Sequence, residues 1–393
     1  MRALISMLLV TLIAIPVGRA ASQVRTWTPT YDTVGSAPRV TSGGYTAWQD
    51  STTGWMLRPE RIVTLVGDET WSPRGNRQTL VLPDGRLVVS TMEPASIQLY
   101  DSSGTFVRTI GRSGNGPGEY SWPSALAVTG DTLIIHDGRQ ARMLLYTMSG
   151  TYLRAFYTDI RNTASDMAID PRGYLRLREN FGMTGARGVR WIYFTLEGAR
   201  VDSLERPTSS ERPGWSLDST NSVSRFIIPF TASDAEVFLD DGTLLYGTGD
   251  RFRFMVTRTG ADTVRIAELT NIRVDSIPAA YADTVLTELI KAQPRLNGIA
   301  TSAQFPRVFP LWNELAVDGR GYIWVSIGFW SRRTHYFGVF APDGRYLGFV
   351  RSLFERFAGT SWSGDRVAAL GVDRQRRPIV RIFTIDRKRM PRP

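Results

Sequence analysis

Enzyme chemistry usually rests on histidine, cysteine or a convergent set of acids, and here the supply is thin. The 393-residue chain has two histidines, His136 and His335, and no cysteine. Thiol nucleophiles, thiolate metal sites and disulfides are therefore excluded, and so is a transition-metal site with several imidazole ligands. His136 stands beside Asp137 and could act as a general base if it reached a substrate, but it ends an apolar run and reads as a packed residue. His335 follows Arg332 and Arg333 closely and reads as an exposed strand tip. No G-x-S-x-G elbow and no acidic calcium loop is present. One unusual stretch remains, residues 110–123, IGRSGNGPGEYSWP, with four glycines, two prolines and an acid. A phosphate cradle would open a helix or end in Gly-Lys-Ser/Thr. This stretch runs into the strand-like PSALAV instead, so no phosphate site is expected. No residue is assigned a catalytic or a metal-ligand role.

The elements that must carry these residues repeat along the chain. LVLPDGRLVVS, LAVTGDTLIIHD, MAIDPRGYLRLRE, VFLDDGTLLYG and LAVDGRGYIWVS each read as strand, Asp/Gly turn, strand, with a weaker sixth copy in TSWSGDRVAALGVD. A second hairpin follows in five copies, turning at Gly104, Gly150, Gly198, Gly260 and Gly344. Each unit is thus a four-stranded meander, A to D, with a basic period of about 44 residues. Such a sheet cannot bury both faces alone, whereas blades packed around an axis bury them against one another. The expected fold is all-β, a six-bladed β-propeller with four antiparallel strands per blade. Solenoid rungs are shorter than this period, and sandwiches do not repeat so regularly. The blades are expected at about 78–111, 122–157, 165–206, 234–270, 312–350 and 353–386. The last lacks a D strand, and ERIVTLVG at 60–67 is expected to complete it and close the ring.

Around this single domain, 58–393, the sequence marks three additions. Residues 1–20 have a basic start, an apolar run of about 14 residues and small residues before Ala20, the pattern of a cleaved export signal too short to span a bilayer. A secreted, periplasmic or extracellular protein is expected. Residues 21–57 read as a polar extension that drapes over the ring or stays mobile. A helical insert is expected within 271–310, where Pro278 could be the first helical residue and Tyr281, Val285, Leu286, Leu289 and Ile290 recur at helical spacing. The net charge is +10, yet nearly all of it is arginine scattered evenly along the strands. Clustered basic patches with interleaved aromatics are missing, so no nucleic-acid partner is expected. No later segment is apolar enough to span a membrane, and a monomer is expected.

The run GRSGNGPGEYSWPSALAV…TLIIHDGRQARMLLYTMSGTYLRAF resembles NHL-type repeats of six-bladed propellers: a glycine-rich loop, proline, strand A, then Asp137 followed by Arg142. Its GxGPGE form, Gly114 to Glu119, is similar to that of secreted bacterial six-bladed propellers of unassigned function. The resemblance covers roughly residues 76–157 and loosens beyond them. It implies a fold, not an activity, because propellers host many functions.

In that architecture the D–A and B–C loops meet at one mouth of the channel. The candidate ligand residues there are Arg112, Glu119 and Trp122 from a D–A loop, with Glu93, Asp137, Arg139, Glu179, Asp250, Arg251, Trp330 and Arg332 from B–C loops. Mixed charge with two tryptophans suits a carbohydrate, a peptide or an anionic ligand. Gly114, Gly116 and Gly118 are expected to shape the crossing loop, with Glu119 accepting backbone N–H groups or pairing with Arg112. Asp137 and Arg142 are expected to tie B to C. The expected function is an exported binding or interaction module without catalysis, its partner a protein, peptide or carbohydrate. An enzyme of the metal-dependent hydrolase or lactonase kind is the alternative, and a subunit of an envelope assembly is a third. The second would need a divalent cation on axial carboxylates from separate blades, as gluconolactonase-like propellers have; no cofactor is otherwise expected.

Overall fold

The computed structural model describes residues 29–43, 53–65, 77–161, 164–181, 188–206, 213–219, 222–270, 272, 274–327, 336–351, 359–375 and 377–387. Six antiparallel sheets follow one another along the chain, each a meander whose first strand is A. The first four A strands are Arg77–Val81, Pro123–Thr129, Ala164–Ile169 and Asp234–Phe238; the last two are Glu314–Val317 and Gly359–Ser363. The sixth sheet has only three strands of its own. Its outer position is filled by Met56–Thr64, which pairs antiparallel with Pro378–Asp386 from Met56↔Asp386 to Thr64↔Ile379. The ring is therefore closed by an N-terminal strand that begins a little earlier than its sequence suggested.

The hydrophobic clusters show why the ring must close. Leu126, Leu133 and Leu144 of blade two pack with Val88, Ile97 and Leu99 of blade one. Further clusters join blade two to three, three to four, four to five and five to six. The last joins blade six to blade one through Leu370, Val380, Val81 and Leu87, with Val63 of the closing strand inside it. Each blade thus finds its second apolar neighbour only when the circle is complete. The turn at Gly104, where φ is +90°, shows how tightly the closing strand sits: a Cβ there would lie 2.8 Å from Val63 Cγ2.

Three regions differ from or sharpen the sequence reading. Part of the stretch 21–57 is neither draped nor loose. Thr30–Val34 and Ala37–Ser42 form a hairpin whose second strand pairs in parallel with Arg265–Leu269, so blade four becomes six-stranded. The Ser/Pro-rich link after blade three contains another hairpin, Gly214–Ser219 with Ser222–Ile227. The expected helix is Ala279–Ala292, with Pro278 as its extended N-cap and not its first turn. Its apolar face packs against that hairpin, around Trp215, Phe230, Phe305 and Phe309, a core separate from those between blades. Leu311 N–H to Gly249 O at 2.7 Å and Trp312 Nε1–H to Arg251 O at 2.8 Å tie this lobe to the B–C turn of blade four. No described helix is long and apolar enough to cross a membrane.

Candidate ligand site in the axial channel

The glycine-rich stretch is the crossing from blade one to blade two, and the blades hold it from both sides. Tyr120, fully buried, donates its hydroxyl to Ile110 O at 2.6 Å and accepts Ile97 N–H at 3.1 Å. Arg142 donates to Glu119 O at 2.6 Å and to Gly116 O at 3.2 Å. Tyr146 donates to Gly118 O, and burial pushes its phenol up to about 12. Glu119 accepts Gly116 N–H at 2.8 Å and pairs with Arg112 at 2.6 Å. The Gly116 N–H first, and then the Arg112 side chain, hold its carboxyl below the usual range. Gly114 (φ +154°) and Gly118 (φ +68°) use conformations that favour glycine; Gly116 does not.

Asp137 takes a different role from a ligand contact. Fully buried, it accepts the N–H groups of Ser121 at 3.0 Å and Trp122 at 3.1 Å. Arg142 Nε stands 3.9 Å away. The pair fastens the crossing loop to blade two, so both carboxyl oxygens are committed to the fold. Neighbouring His136 is also committed: Nδ1 lies 2.7 Å from Ser124 Oγ and Nε2 lies 3.2 Å from Ile160 O.

The other sequence candidates spread around the ring. Arg139 lies over the Trp122 ring at 5.3 Å. Glu179 pairs with Arg190 at 2.6 Å, and Asp250 pairs with the adjacent Arg251 at 3.0 Å. Glu93 is exposed beside Pro94. Trp330, Arg332 and His335 lie outside the described residues. These loops share one end of the propeller, but the structure does not gather them into one site.

What it gathers instead is a set of side chains on the inner strands. A cavity of about 570 Å³ runs along the axis, lined by residues from all six blades. Every A strand has a free edge here, and its outward N–H and C=O groups need partners. Some are capped by the neighbouring blade: Gln78 donates to Ser124 O at 2.7 Å, and Val81 N–H reaches Ser361 Oγ at 3.1 Å. Near the D–A end the A strands carry Gln78, Ser124, Asp166, Glu236, Glu314 and Thr360, one polar residue per blade. Glu236 is neutralised by Arg178 at 2.5 Å and Arg206 at 3.2 Å.

Asp166 and Glu314 are treated differently. The only hydrogen bond to Asp166 among the described residues comes from Met167 N–H at 2.8 Å. Glu314 accepts only Thr360 Oγ1–H among the described residues, at 2.9 Å. Neither has an ion-pair partner within 4.0 Å among the described residues. Both line the cavity, Asp166 exposed to it and Glu314 half-buried, and the protein packed around them raises both carboxyls above their ordinary values. For Asp166, Met167 N–H, Arg176 and Arg178 pull the other way and Glu236 adds to the rise; for Glu314, Thr360 opposes it. Below the acids the channel turns apolar, with Leu80, Leu126, Ala168 and Trp362 on its wall. Among the described residues no three His, Cys, Asp or Glu converge as a metal site.

Comparison with known proteins agrees with this architecture. Residues 75–180 match a domain family described as a six-bladed β-propeller. The chain is a six-bladed β-propeller. No curated protein matches its sequence. Among solved structures it is similar to an exported protein of Bacteroides fragilis at 12% identity, covering 88% of this chain and 99% of that one with a TM-score of 0.47. It is also similar to virginiamycin B lyase from Staphylococcus aureus, at 10% identity, 84% and 99% coverage and a TM-score of 0.45. Likeness at this level leaves the chemistry of those proteins with those proteins.

Proposed function

We propose that the protein is an exported, non-catalytic binding module that holds a small ligand in the D–A end of its axial channel. The observation that carries this reading is the cavity itself: about 570 Å³, reached by side chains of all six blades, within the usual size range of small-molecule sites. It is apolar along much of its wall, with a few converging polar groups at one end. The leader-like start MRALISMLLVTLIAIPVGRA supports delivery out of the cytoplasm. Among the described residues, the one histidine that could serve as a base, His136, is buried with both ring nitrogens engaged, which supports binding over turnover. Glu236, the acid best placed to join a metal set, is already held by two arginines.

Ala168 lines the cavity, and Ala168→Tyr would fill it from the inner strand of blade three. Sugars, amino acids, short peptides and small amines can be screened by thermal shift and ligand-observed NMR against both forms. A ligand of the channel stabilises the wild type by mass action and leaves the filled variant unmoved. If every compound that binds treats the two forms alike, or none binds, the reading fails.

A further inference from the structure

Resting on that reading, we infer that the channel ligand is a small organic cation, an alkyl ammonium or diammonium compound whose charge meets Asp166 and Glu314. The reasoning starts from charge accounting along the inner wall. Glu236 is paired to arginine, and Asp234 is paired to Arg206 at 3.0 Å. Asp166 and Glu314, on the blades flanking blade four, have no ion pair within 4.0 Å among the described residues. Each keeps one carboxyl oxygen without a donor among the described residues, and each lines the same cavity. Arg178 also lines it, but its guanidinium is spent on Glu236 and on Asn180 Oδ1 at 2.7 Å.

Carboxyls whose surroundings raise them cost more when ionised; Arg176 and Arg178 offset only part of this at Asp166, and Thr360 only part of it at Glu314. Two of them facing one cavity make a place where a cation is worth more than it would be in water. An anion would meet two acids and an arginine already engaged. A neutral polyol would find acceptors but gain nothing from the charge. The apolar wall of Leu80, Leu126, Ala168 and Trp362 suits the alkyl part of such a ligand.

The charged surroundings set the sign of the pH dependence. Asp166 faces Arg176 and Arg178 on its own blade and Glu236 on blade four; the packed strand of blade two, Pro123–Thr129, carries no charge. Glu314 faces Thr360 on blade six, and the neighbouring inner strand of blade four, Asp234–Phe238, carries the two paired acids. A cation binds the ionised carboxyls. Its affinity therefore increases as pH rises through their elevated values and levels off above them. An anionic ligand would show the reverse, and a diol would show little change.

The test titrates the full chain by calorimetry with putrescine and cadaverine, their diol counterparts and succinate, over a pH series from about 5 to about 8, above the ordinary carboxyl range. The diamines should bind more tightly at the higher pH, by roughly tenfold or more, and Asp166→Asn should remove roughly tenfold of that affinity and flatten the pH response. Asp166→Asn keeps the side-chain shape and removes a carboxyl that the fold raises, so it should fold at least as stably as wild type near neutral pH, and lost binding there is not lost structure. Preference for the diols or for succinate would overturn the cation assignment while leaving the channel reading standing. So would diamine binding that ignores both pH and Asp166→Asn. If no compound of any charge binds, or Ala168→Tyr leaves binding unchanged, the channel reading itself falls and this inference with it.

Discussion

Acidification should destabilise this propeller through one side chain. His136 is buried between blades two and three, and burial pushes its imidazole from 6.5 down to about 4. Ile160 O and the Asp137 carboxylate oppose that fall without reversing it. The hydrogen bonds explain why the neutral form is kept. Nε2–H can donate to Ile160 O, and Nδ1 then accepts from Ser124 Oγ–H; protonation of Nδ1 would break the second contact. The folded value lies below the unfolded one, so between them the unfolded chain binds the extra proton. Stability is therefore complete above the unfolded value and falls as pH drops toward the folded one. At about 1.4 kcal/mol per unit, the full span amounts to ~3 kcal/mol, of which ~2 is lost by pH 5. That is a large part of a typical folding stability of roughly 5–15 kcal/mol. Asp166 and Glu314 act in the opposite direction, because acids with raised values become less costly as they protonate. The histidine must therefore be read as a difference. Urea unfolding of wild type and His136→Asn at a series of pH values from about 7 to about 4.5 isolates it. The gap between the two proteins should narrow by ~2 kcal/mol across that range. A gap that stays constant would refute the argument, since His136 would then titrate alike in the folded and unfolded chains.

Deleting Met56–Thr64 should leave Pro378–Asp386 as an open edge and remove Leu57 and Val63 from two cores; size-exclusion chromatography should show self-association, and a monomer with an unchanged melting point would contradict ring closure by this strand. Asp137→Ala strips two part-buried N–H groups, those of Ser121 and Trp122, of their acceptor, and should cost roughly 2–4 kcal/mol in urea unfolding. Gly114→Val places a Cβ 2.1 Å from Glu119 Oε2 at a φ of +154°, and should cost ~1–3 kcal/mol on the usual scale of backbone strain. Gly116→Ala meets the same carboxyl only at 3.1 Å with no such φ and should be clearly milder; equal costs would show that the loop geometry is not what holds Glu119.

How far the sequence could be read depended on how locally each feature is encoded. The blades were legible because an Asp-Gly turn and alternating flanks specify a hairpin from a few adjacent residues. The closing strand was legible from an absence, the missing D strand after PIVRIFTID. The hairpin on blade four was not, because APRVTS pairs in parallel with RIAEL, more than two hundred residues away, and nothing within either segment names the other. The helix was visible in its spacing, but its partner was not. Trp215 and Phe305 meet across the small core only because the connections after blades three and four leave the same end of the ring.

The candidate site fails to appear in the sequence for a related reason, although a signal existed. Loops attract attention because polar residues stand out there, yet Asp137, Glu119 and Arg142 are polar for the loop's own sake: they satisfy backbone groups on a path that must cross from rim to axis. On the inner strands the logic is inverted. A strand packed between two blades has every reason to be apolar, so a Gln, Asp or Glu six or seven residues before the turn glycine, as at Gln78, Asp166, Glu236 and Glu314, is the anomaly. Arg178 and Arg206 explain Glu236, and Ser124 O occupies Gln78. Among the described residues no ion pair explains Asp166 or Glu314, whose surroundings in the fold raise both carboxyls. An acid standing where packing alone would favour an apolar residue is the feature that the proposed channel ligand would explain.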